Sequence, residues 1–109
     1  MVAKKIARGR DPHHDEVCFH AQQCAEKYLK ALLEELGVHV PRTHILEDLV
    51  VSLLASHAKL SSVRRGARFL TRFAVATRYP GKNASKREAV SALRWATRFR
   101  KEAGVLLNI

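Results

Sequence analysis

The chain has 109 residues, 47% apolar and 28% charged, which suits one folded domain and excludes both a disordered chain and a second core. Its formal net charge of +10 is one-sided: residues 1–48 hold seven Lys/Arg against eight Asp/Glu, and residues 49–109 hold thirteen against two. Such a field suits a polyanion or an acidic partner, and no apolar run reaches the roughly 18 residues of a membrane span.

Residues 1–10 form a short basic segment without the apolar core and small-residue cleavage site of a secretory signal, so a cytoplasmic protein is expected. Residues 11–109 are expected to form one helical domain. Its first long helix opens at Asp11-Pro12, a capping residue followed by proline at the first helical position, and closes at Gly37. Val17, Ala21, Cys24, Ala25, Tyr28, Leu32 and Leu36 recur at three-and-four spacing as its buried stripe, opposite His20, Gln23, Lys27, Lys30 and Glu34. Cys18 and Cys24 point in different directions on this helix, so both are expected as buried free thiols.

The second helix follows Thr43, with Glu47 and Asp48 where negative charge complements the helix dipole, and Leu46, Leu49, Val50, Leu53 and Leu54 on its apolar side. The third runs from about Ser62 to Thr77 and buries Val63, Leu70, Phe73 and Ala74. The fourth begins at Ser85, where Ser85-Lys86-Arg87-Glu88 matches a capping box, and reaches about Leu107 through Ala89, Ala92, Ala96, Phe99, Ala103 and Leu106. Four amphipathic helices with short connections and no strand-like alternation predict an all-α, up-and-down antiparallel four-helix bundle.

Arg65, Arg68 and Arg72 share a face of the third helix, with Arg64 beside them, and Arg87, Arg94, Arg98 and Lys101 lie near one another on the fourth. Guanidinium donates two parallel hydrogen bonds and keeps its charge, which matches phosphate; the competing reading is a solvated face, but such a face normally mixes signs and only Glu88 and Glu102 interrupt the positive series here. Pro80 turns the chain at Tyr79, so Arg78 and Tyr79 either stack a base and hold its phosphate or close the end of the core. Arg42 and His44 enter the second helix, where an N-terminus receives anions; alternatively Thr43 caps that helix and His44 packs locally. His20 and Cys24 could face one ion, but no third ligand has a matching spacing. Nothing local identifies a catalytic centre or implies a cofactor.

Phe19-His20-Ala21-Gln22-Gln23-Cys24-Ala25-Glu26-Lys27-Tyr28-Leu29-Lys30-Ala31-Leu32-Leu33 resembles the signature helix of HEPN domains, Pro41-Arg42-Thr43-His44-Ile45-Leu46 their following loop, and Arg78-Tyr79-Pro80 their later turn. The resemblance runs from about residue 15 to the C-terminus. It implies a prokaryotic, commonly homodimeric helical bundle, nucleotide or RNA binding, and pairing with a small nucleotidyltransferase in a toxin–antitoxin-like module. The residues it carries over are Gln23, Lys27, Arg42, His44, Arg78 and Tyr79.

Two departures stand out. The ribonuclease branch of the family carries an arginine and, after four to six intervening residues, a histidine late in the bundle, whereas no histidine follows His57 here and the only matching spacing is Arg8 with His13 or His14. A noncatalytic module is therefore expected ahead of an RNA-cleaving toxin, with a protein-docking module as a third reading. Only about ten residues precede Asp11, so the family's leading helix is expected to be shortened, leaving apolar surface that a homodimer would cover.

Overall fold

The computed structural model describes residues 12–74 and 83–109, and its described residues hold four α-helices and no strand. Helix α1 spans Pro12–Glu35, α2 Leu46–Leu53, α3 Arg64–Thr71 and α4 Lys86–Leu107; a 3-10 turn, Ala58–Val63, leads into α3. Asp11, the expected cap of α1, lies outside the described residues, as do Arg8, Arg78, Tyr79, the expected end of the third helix at Thr77 and the expected leading helix. No helix among the described residues is long and apolar enough to cross a membrane.

Helix α1 ends where Gly37 takes a positive φ of 72°, which lets its N–H reach the Glu34 carbonyl while Val38 N–H reaches Leu33. Its buried face is rotated from the expected stripe. Cys18, Ala21, Ala25, Leu29, Leu32 and Leu33 are buried, whereas Val17, Cys24 and Tyr28 are half-buried and Leu36 is exposed, so only one of the two thiols is enclosed. The buried face turns toward the other helices of the core, and residues 38–45 return along α1 to cover its flank at Gln22, which donates to the His44 carbonyl.

That return stroke also sets the sense of the helices. Asp15 near the start of α1 accepts a hydrogen bond from Ala84 N–H at 2.6 Å, just ahead of α4, while Ala31 near the end of α1 shares a groove with Leu107 and Ile109. The two long helices therefore run parallel, in contrast to the simple antiparallel order expected from short connections. Residues 38–45, at about 3.3 Å each when extended, reach back along much of α1 without forming a helix. The antiparallel relation does hold between α3 and α4, which meet at Arg72 with Glu88 and again at Gly66 with Trp95.

The core gathers Leu29 and Leu32 of α1, Leu46, Leu49, Val50 and Leu53 of α2, Leu60, Val63 and Leu70 of the turn and α3, and Ala92, Phe99 and Ala103 of α4. Each fully buried leucine contributes about 2 kcal/mol. The third helix, expected to be continuous from Ser62, instead begins as the 3-10 turn. Leu60 and Val63, three apart and both buried, face the core together at three residues per turn. Gly66 lies against the Trp95 indole so closely that an added methyl group would overlap the ring.

Candidate functional site

The site grows from two polar side chains in an otherwise apolar interior. Gln22 and Glu26 occupy successive turns of α1 and are both buried. A buried carboxylate needs donors on each oxygen, and Glu26 has them. Its Oε1 accepts from Gln22 Nε2 at 2.9 Å and faces His44 Nδ1 at 3.0 Å, while Oε2 accepts from Lys30 Nζ at 2.9 Å. Gln22 Nε2 also donates to the His44 carbonyl at 3.3 Å, and Gln23 Nε2 donates to Gln22 Oε1 at 2.7 Å. Burial alone raises the Glu26 carboxyl, but the hydrogen bonds from His44, Lys30 and Gln22 and the charge of Lys30 outweigh it and hold the group below its ordinary range.

An ionised carboxylate only accepts, so the imidazole nitrogen facing it must carry a proton, and Nδ1 of His44 is the donor. The ring is thereby held in one orientation, while the His44 side chain remains 66% exposed. Its Nε2 is left as the outward nitrogen, beside exposed Arg42 of the same loop. Thr43 does not cap α2: its Oγ1 accepts from Ile45 N–H at 3.0 Å, and Thr71 of α3 supplies the acceptor for Leu46 N–H, also at 3.0 Å.

Through Thr71 the His44 loop adjoins the end of α3. There Arg72 donates to Glu88 at 2.7 Å and lies over the Phe69 and Phe73 rings at 5.3 and 5.4 Å. The start of α1, the loop before α2, the end of α3 and the start of α4 thus meet at one end of the molecule, and the chain on either side of residues 75–82 is anchored there.

The expected arginine surface divides. Arg64 and Arg68 approach Glu47 at 2.9 and 3.6 Å, Arg72 is held by Glu88, and Arg98 stands 3.6 Å from Glu102. Arg65 and Arg94 are exposed and have no ion-pair partner among the described residues. Arg94 and Arg98 line one shallow groove on α4 with Ser91 and Trp95. Gln23 belongs to the Glu26 network, but exposed Lys27 lines the groove with Leu107 and Ile109 instead. Gln22, Glu26 and Trp95 have no place among the sequence-derived candidates. The four-residue spacing of Gln22, Glu26 and Lys30 was the available signal for the network, and the sole tryptophan among arginines the signal for the groove.

The family model for the HEPN domain matches residues 3–106. The chain belongs to the HEPN family. The match starts ahead of residue 15, so the basic N-terminal stretch also falls within the family's span. Comparisons with curated proteins and with solved structures gave no significant match. HEPN domains are associated with RNA binding and with nuclease and toxin activity, and they often form dimers.

Proposed function

We propose that this HEPN domain binds the phosphates of RNA or of nucleotides at the end of the bundle where His44 and Arg42 emerge and along the arginine-bearing flanks of α3 and α4. The observation that carries this reading is the hydrogen-bonded series Gln23, Gln22, Glu26, His44, which spends a buried carboxylate on orienting an exposed imidazole. A histidine that only packed would need neither the charge nor the exposure. Arg65, Arg68, Arg94 and Arg98 extend the positive field away from that end, with Arg72 more nearly committed to Glu88. Arg78 and Tyr79, carried over from the family turn, are proposed as further ligand contacts. The finer role is that of a noncatalytic partner of a small nucleotidyltransferase in a toxin–antitoxin-like pair, acting as a homodimer.

A second reading, RNA cleavage without metal, is favoured by the same dyad. An imidazole whose Nδ1 is held by a carboxylate offers Nε2 as a base toward a ribose hydroxyl. One assay separates the two. Anisotropy of a labelled single-stranded oligoribonucleotide in the presence of a chelator reads both binding and chain length. Binding is expected to weaken with salt, to fall about ten-fold on replacing Arg42 and His44 by alanine, and to leave the RNA intact. Cleavage abolished by His44→Ala would establish the second reading, and the absence of any salt-sensitive binding would remove the first.

A further inference from the structure

Trp95 is the only tryptophan in the chain. One side of its indole rests on α3, where Gly66, a costly residue inside a helix, presents bare backbone to the ring. A side chain at that position would push the ring away, so the glycine seats the indole in one place. Yet the residue is only half-buried, and its indole N–H is neither enclosed nor hydrogen-bonded among the described residues. A tryptophan serving the core alone would be expected to turn that N–H toward a protein acceptor. Here the ring instead borders the groove walled by Ser91, Arg94 and Arg98.

The two arginines stand four residues apart, on successive turns beside the ring. Arg94 has no ion-pair partner among the described residues, and the contact of Arg98 with Glu102 is long, at 3.6 Å, and solvated. Both guanidinium groups can therefore turn to a ligand at little cost. A fixed aromatic surface flanked by two mobile positive forks matches a nucleobase with a phosphate on either side. Paired bases hide their faces in the stack, so the complementary ligand is a single strand.

We propose that Trp95, Arg94 and Arg98 form a stacking subsite for one base of single-stranded RNA. This rests on the RNA-binding reading above and adds to it a contact that recognises bases as well as charge. Emission from Trp95 reports on this groove alone. The full chain is titrated with a single-stranded oligoribonucleotide and, separately, with inorganic polyphosphate, which carries charge without bases. Both are expected to bind more weakly as salt rises, and only the oligoribonucleotide to quench the emission. Trp95→Leu is expected to lower oligoribonucleotide affinity about ten-fold and leave polyphosphate binding unchanged, with Trp95→Phe restoring most of the loss.

Oligoribonucleotide binding with unmoved emission and equal affinity in Trp95→Leu would overturn the subsite and leave the RNA reading intact. If neither ligand binds in a salt-dependent way, both fall. Should Trp95→Leu fail to fold, quenching of the unaltered protein and its loss in Arg94→Ala/Arg98→Ala decide the question.

Discussion

Glu26 shows how one buried charge is made tolerable and then put to use. Its carboxyl is held below the ordinary range in the folded chain, so the ionised form stabilises the fold at neutral pH. That contribution is fully present above the unfolded carboxylate value of about 4.3 and is lost as pH falls through the lower folded value. Glu26→Gln keeps the shape and removes the charge. It is expected to lower the urea midpoint at neutral pH, with the gap to the parent protein closing on acidification. A gap of constant size down to about pH 3 would show that the ionised carboxylate is not what the network requires. The four-residue spacing of Gln22, Glu26 and Lys30 was legible in the sequence, but their burial was not. It depends on residues 38–45 lying across that flank of α1, and no local pattern announces where an extended segment will lie.

Helix ends divide along the same line between local and distant causes. The start of α4 was readable because its cap is contained in four consecutive residues: Ser85 Oγ accepts from Glu88 N–H at 3.0 Å, and the Glu88 side chain accepts from Ser85 N–H at 2.9 Å. The start of α2 was not. Its preceding residue is Ile45, which has no capping group, and the acceptor comes from Thr71, 25 residues later, which itself donates to the Ala67 carbonyl at 2.8 Å. Ser85→Ala is expected to cost about 1 kcal/mol, since water can reach the exposed helix end. Thr71→Val keeps the volume but strips the acceptor from the buried Leu46 N–H, for an expected loss of about 1–3 kcal/mol. Denaturant unfolding of both variants checks the order, and a neutral Thr71→Val would mean that Leu46 N–H finds another partner.

The family and its helical class were legible because three motifs carry them, whereas the parallel run of α1 and α4 was not, since it depends on the return stroke being made without a helix. That arrangement bears on assembly. Packing α2 and α3 against one side of a parallel pair leaves the seam on the other side open among the described residues, where Val17, Ala21, Cys24, Leu93 and Ala96 line one groove and Leu93 is 55% exposed. A second copy of the chain can cover the seam by meeting it with the same surface across a two-fold axis. Two chains of formal charge +10 repel each other, so an apolar contact between them should strengthen as salt screens that repulsion. RNA binding should respond in the opposite direction, because it depends on the same charges attracting phosphate. Light scattering at micromolar concentration is expected to give twice the mass of one chain, with the dimer fraction rising with salt. Leu93→Glu, which sets a charge in the seam outside the core, is expected to yield folded monomer with undiminished helical circular dichroism. A parent protein that stays monomeric at every salt concentration would show that the seam does not pair two copies.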